Sequence, residues 1–325
     1  ITIAITVYDR RHFVKQAIAS ALNQTIPVRV MVVEDCGPDP DLQTFIKEEF
    51  GSKIEYFRNS RRRGLFGNWN ACIEYCRTPW LSILHDDDYL ESTFVEAMLN
   101  LSVNAPDCGL FFGYTVVVDE SGKPVPKWQY PVITPEWKPV ELGDFLMTNP
   151  FPFPGHLFRV DHAKKVGGFR ETSLYSGDWE FWVKMVEQCK VAQTRAAVAA
   201  FRHHGEWERG TNKILRSGKP FALYAVQRKR NMAALRKRGE SIRFDRKAVL
   251  ACFGMPSRYL IRFAAYFPPR LLSYNVELLL LSKAPHWKYR LFQIFVRLLG
   301  KDFIRLSSEC WNLFQRLTRG KPASF

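Results

Sequence analysis

Three consecutive carboxylates, Asp86, Asp87 and Asp88, directly follow a short apolar run at residues 80–84. The run has the length and apolar character of a buried strand. Adjacent like charges at a strand end are costly unless a cation lies among them, and Mg²⁺ and Mn²⁺ prefer oxygen ligands. The triplet therefore predicts a site where a divalent metal meets a diphosphate. A solvated acidic turn that caps the next helix through Asp88 or Ser92 is the alternative.

Two further groups of residues that could take part in catalysis or binding lie later in the chain. Asp178 precedes a run of apolar residues, 179–186, with the spacing of a buried helix face. A carboxylate at such a helix start is either an N-cap or a base that points into a crevice. Residues 198–201 form a strand-like run that leads into Arg202, His203 and His204. These side chains come together only if the fold brings both regions to the triplet.

The first 90 residues contain the elements that would position these groups. Strand-like runs at residues 1–8, 28–33 and 54–57 alternate with helical apolar spacing, which is the pattern of a parallel α/β sheet. Polar groups follow the first, second and fourth strands. Open α/β sheets bind ligands at the carboxyl ends of their strands, so we expect a ligand crevice there.

Two segments predict loops around this crevice. Residues 59–70 contain two glycines and the basic run Arg61 to Arg63, which faces either phosphate or solvent. A helix is then expected over residues 71–76. Residues 124–154 are rich in proline and aromatic residues and have no clear period, which predicts a long loop that offers a shelf for an acceptor. The alternative is that these aromatics, Trp128, Tyr130 and Trp137, only pin an irregular segment.

The composition indicates one large domain with an appendage, or two domains. The chain has 325 residues, of which 46% are hydrophobic and 14% aromatic. Its seven cysteines are odd in number and scattered, which fits a reduced, cytosolic setting. No uncharged run reaches the roughly 18 residues of a spanning helix. Because the chain opens at Ile1 within a strand-like run, we expect the native N-terminus to lie upstream.

The net charge of +15 is concentrated in the last third of the chain. Residues 1–215 hold 24 Lys and Arg against 27 Asp and Glu, whereas residues 216–325 hold 23 against 5. We therefore predict a catalytic domain at 1–215 and a basic amphipathic helical region at 216–325. From Trp287 onward, apolar and basic residues recur as in helices that lie in a membrane interface. Packing of these helices on the catalytic domain is the alternative.

Eight segments carry recognisable motifs: Thr6–Arg10, Val32–Gly37, Gly67–Asn70, Leu84–Asp88, Gly155–Arg159, Val166–Glu171, Ser176–Trp182 and Phe201–His204. In this order and spacing, they resemble the family-2 glycosyltransferases with a GT-A fold. The resemblance covers about residues 1–215. It implies an α/β architecture, a GT-A type Rossmann-like mixed sheet flanked by helices, with a basic α-helical C-terminal extension.

The resemblance also implies roles for individual residues. The family's catalytic base falls on Asp178; the family often has Glu-Asp there and this chain has Gly177-Asp178, so Glu180 is the fallback. Asp88 is the expected metal ligand with His204 assisting, and the adjacent His203 is an alternative to His204. Tyr8 is expected to stack on the base, Asp35 to accept a hydrogen bond from it and Asp86 to bind the ribose. The full set expected to bind nucleotide-sugar is Thr6, Tyr8, Arg10, Asp35, Asn70, Asp86 and Asp87.

The resulting hypothesis is an inverting glycosyltransferase. It would move a sugar from a UDP- or dTDP-linked donor to a hydroxyl of a saccharide or lipid-linked acceptor, assisted by Mn²⁺ or Mg²⁺. The setting implied by the resemblance and the basic tail is polysaccharide or lipid-linked oligosaccharide synthesis. We expect a cytoplasmic protein held peripherally at the cytoplasmic face of the membrane, without a nucleic-acid partner.

Two rival functions remain. A nucleotidyltransferase would need a glycine-rich signature with Arg and Lys near the first strand, where this chain has Thr6 to Arg10. A non-catalytic or degenerate transferase-like protein would bind anionic partners through its basic tail. Clustered carboxylates argue against that function, because an acidic cleft repels phosphate unless a metal is present.

Overall fold

The computed structural model describes residues 1–126, 129–145, 149–173 and 176–204, and six separate positions between residues 227 and 238. The chain divides into two compact units, residues 1–145 with 149–207, and residues 146–148 with 208–325. In the second unit, the amide of Gln227 donates to Asn231 Oδ1 at 2.8 Å, one helical turn away. Apart from the six positions, the predicted basic helices of residues 216–325 lie outside the described residues, as does Trp128.

The first half of the sheet is parallel, as the strand–helix alternation predicts. Strand β1 lies between β2 and β4, and β2 also pairs with β3, all in parallel. Helices connect successive strands, and one turn of 3-10 helix, Gly51–Lys53, precedes β3. The elements are β1 Thr2–Val7, α1 Arg11–Leu22, β2 Arg29–Glu34, α2 Leu42–Phe50, β3 Glu55–Arg58, α3 Gly64–Tyr75 and β4 Trp80–His85.

The second half makes the sheet mixed. Strand β8 is antiparallel to both β4 and β6, while β9 runs parallel to β6 and antiparallel to β5 and β7. The strand order is β3-β2-β1-β4-β8-β6-β9-β5, with β7 on β9. The elements are β5 Tyr89–Leu90, α4 Phe94–Asn104, β6 Cys108–Val118, β7 Trp137–Val140, β8 His156–Arg159, α5 Val160–Lys165, α6 Gly177–Gln188 and β9 Lys190–Arg202. The predicted mixed α/β sheet is confirmed.

Burial explains why these segments take these forms. Every residue of β1 is buried, as expected for a central strand covered on both faces. Helix α1 buries Val14, Ala17, Ile18 and Ala21, which recur at the spacing of one helix face. No helix among the described residues is long and apolar enough to cross a bilayer.

Two predicted boundaries were wrong. Helix α3 begins at Gly64 rather than at residue 71, so the loop before it covers only residues 59–63. The first turn of α3 is stabilised by a carboxylate from another strand end, which local spacing does not reveal. The segment 124–154 contains β7 and a short 3-10 helix, Leu142–Phe145, and is therefore not one continuous loop.

Helix α5 ends in a glycine C-cap. Gly167 and Gly168 both have positive φ, at 79° and 62°. The N–H of Gly168 donates to the carbonyl of Ala163 at 2.9 Å, and that of Gly167 to the carbonyl of Lys164 at 3.0 Å. This paired arrangement is the Schellman motif, which turns the chain sharply towards α6.

Candidate active site

The carboxyl ends of β1, β2 and β4 lie at one edge of the sheet. Thr6 is in register with Val33 of β2 on one side and with His85 of β4 on the other. Its hydroxyl donates to the carbonyl of Leu84 at 3.4 Å. This register brings the residues after β1 and β2 next to the acidic triplet that follows β4.

The triplet is buried and compensated by cations. Asp86 and Asp87 are each 7% exposed and Asp88 only 2%. The guanidinium of Arg10 contacts Asp87 and lies 3.6 Å from Asp86. His204 Nε2 is 2.9 Å from Asp87 Oδ2. Carboxylates removed from water in this way need such partners, so the solvated-turn alternative does not apply.

Arg202 joins the triplet to the rest of the fold. Its backbone N–H donates to Asp88 Oδ1 at 2.8 Å, and its Nε donates to the carbonyl oxygen of Asp87 at 2.8 Å. Its remaining guanidinium nitrogens donate to the carbonyl of Glu120 and to Gln16 Oε1, both at 2.6 Å. Arg202 therefore fixes the backbone and one carboxylate of the triplet at the same time.

The three carboxyl groups differ in pKa. Burial and the charge of Asp87 raise the pKa of Asp86 to about 7. Burial acts to raise the pKa of Asp87 as well, but the His204 hydrogen bond and the Arg10 charge outweigh it and lower that pKa to about 2. The pKa of Asp88 is raised by burial and by Asp87. Asp87 is thus the carboxylate that stays ionised most readily.

His85, Asp87 and Asp88 together form a possible metal site. One ligand atom from each lies within 4.8 Å of the others. Asp88 Oδ2 is buried and has no hydrogen-bond partner among the described residues, so one oxygen remains available to a cation. The residues present therefore fit a divalent ion. His204, which is predicted to assist Asp88 as a ligand, contacts Asp87, and its role at the metal stays a prediction. His85 was not among the predicted ligands.

The two adjacent histidines have different surroundings. The backbone N–H of His203 donates to the carbonyl of Val118 at 2.7 Å. Burial lowers the pKa of the His203 imidazole. The hydrogen bond to Asp87 raises the pKa of His204, whose Nδ1 lies 3.5 Å from Glu120. The structure therefore brings His204, rather than His203, to the triplet through its imidazole.

Asp178 lies in the first turn of α6 and is half-buried. Asn149 Nδ2 donates to Asp178 Oδ2 at 2.9 Å. Burial raises the pKa of Asp178, against the Trp179 and Asn149 hydrogen bonds and the charge of His85. The helix begins after Ser176, so Asp178 is not its N-cap.

Glu180, the fallback base, forms ion pairs with two basic side chains. Its Oε1 lies 2.7 Å from Arg170 and 3.6 Å from Lys184. These ion pairs connect α6 to the segment that follows the Gly168 turn. The arrangement favours Asp178 over Glu180 for proton transfer, although the catalytic role of Asp178 stays a prediction.

The residues predicted to hold the nucleobase already contact protein groups. The guanidinium of Arg62 lies over the Tyr8 ring, 4.3 Å from its centroid. Asp35 is 4% exposed and accepts from Asn59 Nδ2 at 3.1 Å and from the backbone N–H groups of Arg63 and Gly64 at 2.7 and 2.8 Å. Arg63 itself pairs with acidic side chains, Glu74 and Glu171, rather than facing a phosphate.

Asn70, which is predicted to bind the nucleotide-sugar, makes two hydrogen bonds within the protein. Its Nδ2 donates to the carbonyl of Phe169 and its Oδ1 accepts from the N–H of Phe169, both at 2.8 Å. Both ends of the amide thus bond to the backbone of one residue, Phe169, in the turn after α5. The motif position was predicted from resemblance, whereas the structure shows that Asn70 holds α3 against this turn.

A search of family models matches residues 2–163 to one family, described as glycosyl transferase family 2. Through these residues the chain belongs to glycosyl transferase family 2. The match covers β1 to β8 and includes the triplet, whereas Asp178, Arg202 and His204 lie beyond it.

Curated relatives of the family-2 domain are similar at low identity. An uncharacterised glycosyltransferase of Rickettsia bellii is 27% identical over 222 residues, which is 66% of this chain and 31% of that protein. MJ1057 of Methanocaldococcus jannaschii, another uncharacterised glycosyltransferase, is 23% identical over 57% of this chain and 64% of its own length. Chondroitin synthase of Escherichia coli is 24% identical over 58% of this chain and 26% of its length. The chain thus spans less than two thirds of each of these relatives.

Solved structures show the same fold. The crystal structure of S. aureus TarS in complex with UDP-GlcNAc has a TM-score of 0.61 and 16% identity, covering 96% of this chain and 91% of that chain. Its complex with UDP has a TM-score of 0.60. At this identity the likeness establishes the architecture alone, which is the GT-A fold that the sequence predicts.

Two site residues of this family-2 chain escaped sequence reasoning. His85 directly precedes the triplet and lies three residues before Asp88, a spacing that a wider ligand search would have included. Arg202 was noted within its motif but given no role, because its four acceptors come from distant parts of the chain. A sequence pattern does not indicate hydrogen bonds to backbone carbonyls such as these.

Proposed function

We propose that the chain transfers a sugar from a nucleotide-diphosphate donor to a hydroxyl group of a saccharide or lipid-linked acceptor. The observation that carries the proposal is the buried triplet at the carboxyl end of β4, compensated by Arg10 and His204. Transfer from a sugar diphosphate needs a site for the leaving group and a base for the acceptor hydroxyl, and we assign these roles to the triplet and to Asp178.

The metal site has a defined place in this proposal. Asp87 and Asp88, with His204 or His85 beside them, would hold Mn²⁺ or Mg²⁺. When bound, the ion supplies Lewis-acid neutralisation of the charge that develops on the diphosphate. The unpartnered Oδ2 of Asp88 among the described residues supports this assignment.

The proposed reaction needs one protein base. Asp178 accepts the proton of the acceptor hydroxyl as its oxygen forms a bond to the anomeric carbon. The bond from that carbon to the diphosphate oxygen breaks in the same displacement, and the nucleoside diphosphate leaves with the electron pair. A single direct displacement inverts the anomeric configuration. The raised pKa of Asp178 brings this carboxylate closer to the pKa that a base at neutral pH requires.

The donor is proposed to be a uridine or thymidine diphosphate sugar. The complexes of TarS with UDP-GlcNAc and UDP, on the same fold, support UDP-sugars as the first donors to test. Asp35 and Tyr8 would hold the base, Asp86 would bind the ribose, and Arg10, which pairs with Asp86 and Asp87, would contact the donor beside the triplet. Base stacking on Tyr8 requires Arg62 to share or leave the ring face that it covers.

A membrane-associated setting is also part of the proposal. The excess of 23 basic over 5 acidic residues in 216–325 supports peripheral contact with an anionic membrane, at the cytoplasmic face. A lipid-linked acceptor would be presented at that surface. Binding of the full chain to anionic and neutral vesicles tests this part independently of transfer.

The first test is donor binding and hydrolysis with a panel of UDP- and dTDP-sugars, with and without Mn²⁺. Wild type is expected to bind one donor in a metal-dependent manner, and Asp88→Ala to lose that binding. Asp178→Asn should lower transfer at least about 100-fold, since general-base catalysis contributes roughly 10²–10⁴-fold, while donor affinity changes little. Asp161→Asn, which alters an exposed carboxylate paired with Arg159, serves as the matched control.

Two results would contradict the proposal. Full transfer activity in Asp178→Asn would remove Asp178 as the base. Absence of binding to every donor at millimolar concentration would leave a transferase-like scaffold whose function lies in its basic tail. Metal-independent, salt-sensitive binding to RNA would support that second function.

A further inference from the structure

The imidazole of His85 is held in place by aromatic rings. His85 is the last residue of β4, and its side chain is 21% exposed. The ring lies parallel to Phe153, with centroids 4.5 Å apart and an interplanar angle of 3°, and it also stacks on Trp69 at 5.3 Å. Phe153 and Trp69 stack on each other at 3.9 Å. Packing, rather than hydrogen bonding, thus fixes the plane of this imidazole beside the triplet.

The distance between His85 and Asp88 is that of two ligands of one ion. His85 Nδ1 lies 3.5 Å from Asp88 Oδ2. Two ligand atoms about 2.1 Å from the same ion and at right angles lie about 3 Å apart, and wider angles lengthen this distance. Asp87 supplies the third ligand within the same 4.8 Å cluster.

The two oxygens of Asp88 have different surroundings. Its side chain is 1% exposed, and Oδ1 accepts the N–H of Arg202 at 2.8 Å. Oδ2 has no hydrogen-bond partner among the described residues. A buried carboxylate oxygen needs a donor or a cation, so Oδ2 and the facing nitrogen of His85 define a place for a metal ion.

From this geometry we infer that His85 is a nitrogen ligand of the metal centre and that it makes the centre select transition metals over Mg²⁺. The inference rests on the metal site of the proposed function. Imidazole nitrogen suits transition metals, whereas Mg²⁺ is bound almost entirely by oxygen. A site with ligands from His85, Asp87 and Asp88 therefore binds Mn²⁺, and more tightly Co²⁺, in preference to Mg²⁺.

The direct test is pulsed electron paramagnetic resonance of Mn²⁺ bound to the full chain, which detects a coordinated ¹⁴N nucleus. Wild type is expected to show histidine nitrogen coupling. The coupling should persist in His204→Gln and disappear in His85→Gln. Because His204 is the other histidine at the triplet, this pair of variants identifies which imidazole is bound. Loss of the coupling in His204→Gln, or its absence in wild type, overturns the inference.

Metal affinities give a second measurement that does not depend on activity. Calorimetry with Mg²⁺, Mn²⁺ and Co²⁺ should show at least a tenfold preference for Mn²⁺ over Mg²⁺ in wild type. His85→Asp replaces nitrogen by oxygen and should narrow that preference to about threefold or less. His12→Gln, on the exposed face of α1, is the matched control and should keep the wild-type preference. An unchanged preference in His85→Asp contradicts the inference.

Failure of this inference and failure of the proposed function give different results. Nitrogen coupling that depends on His85, together with no turnover or binding of any nucleotide-sugar, leaves the ligand assignment standing and removes the transferase proposal. Metal-dependent donor turnover with coupling from His204 alone leaves the transferase proposal standing. It then removes His85 from the ligand set, and the 3.5 Å contact is an imidazolium–carboxylate ion pair.

Discussion

Arg202 illustrates how a single residue organises the candidate site without facing the reaction. Its backbone and side chain hold Asp88 Oδ1 and the Asp87 carbonyl, and its guanidinium reaches the turn at Glu120 and helix α1 at Gln16. Groups behind metal ligands orient them, and their loss typically lowers metal affinity 10–100-fold. Arg202 is therefore a positioning residue rather than a catalytic one.

Replacing Arg202 by Lys is expected to weaken Mn²⁺ binding by about 10–100-fold. Lysine keeps the charge but cannot reach three acceptors with a planar fork. Calorimetric Mn²⁺ titration measures the effect, and Arg159→Lys is the control, since Arg159 forms an exposed pair with Asp161. Equal Mn²⁺ affinity in Arg202→Lys and wild type would mean that the hydrogen bonds of Arg202 do not position the metal ligands.

Sequence reasoning succeeded where the residue types alone indicate the chemistry. Three adjacent carboxylates after an apolar strand demand a cation wherever they lie, and the structure places Arg10 and His204 among them. It did not anticipate the hydrogen bonds of Asn70 to Phe169, because an amide in a recognised motif can also hold backbone groups. Hydrogen bonds between residues about 100 positions apart depend on tertiary contacts that spacing does not encode.

At the scale of elements, helix α3 depends on a carboxylate from another strand end. Asp35 accepts the N–H groups of Arg63 and Gly64, which the first turn of α3 leaves without intrahelical partners. Glu34 next to it is fully buried, accepting from Tyr56 and from the N–H of Gly37 at 2.9 Å. The β2 end and the α3 start are thus one hydrogen-bonded unit.

Asp35→Ala should lower the free energy of unfolding by about 2 kcal/mol, because two backbone donors and Asn59 lose a charged acceptor. Urea unfolding without ligand measures this. Asp41→Ala is the control, because Asp41 precedes α2 without making a side-chain capping bond. If both variants unfold at the same urea concentration, the Asp35 contacts do not stabilise α3.

Substitutions at the two glycines after α5 allow the cost of backbone strain to be measured separately from the cost of a steric clash. A Cβ on Gly167 would meet nothing within 4 Å, whereas one on Gly168 would lie 2.5 Å from Asn70 Oδ1. Gly167→Ala is expected to cost about 1 kcal/mol for its positive φ. Gly168→Ala should cost at least about 1 kcal/mol more, because Asn70 must move and release Phe169. Thermal unfolding of both variants provides the comparison. Equal destabilisation would show that the Asn70 side chain moves aside without a cost in the free energy of unfolding.

The boundaries of elements were harder to predict than their existence. The parallel half of the sheet followed from apolar runs and helical spacing, and its strands are those expected. Strand β9 was expected only at residues 198–201, yet it extends over Lys190–Arg202. Its earlier part includes three exposed positions, 190, 195 and 197, and pairs with β6 and β7, so its length is set by its neighbours.

At the scale of the whole molecule, a buried neutral histidine links stability to pH. His156 is fully buried between β4 and β6, its Nε2 accepting from the N–H of Ile83 and its Nδ1 lying 2.6 Å from the carbonyl of Phe153. Burial lowers the pKa of His156 to about 3. The unfolded chain, with a histidine pKa of about 6.5, binds this proton between pH 6.5 and 3 while the native state does not. Stability contributed by neutral His156 is therefore present above pH 6.5 and lost as pH falls.

Because of His156, the free energy of unfolding is expected to fall by about 2 kcal/mol between pH 7 and pH 5. Urea unfolding at both pH values measures it, and His156→Gln should reduce the difference by that amount. His12→Gln, an exposed position, should leave the difference unchanged. A nuclear magnetic resonance titration in which His156 protonates near pH 6 in the native state would contradict the assignment.

The return of β9 to the triplet has a consequence for how the chain acquires its site during synthesis. Asp87 and Asp88 emerge from the ribosome long before Arg202 and His204, which follow them by 114 to 117 residues. Until β9 is added, Arg10 is the only one of these three cationic residues already synthesised. We therefore expect a nascent chain that ends at β8 to keep the triplet open to water. The parallel half can form early, and the last strand closes the site.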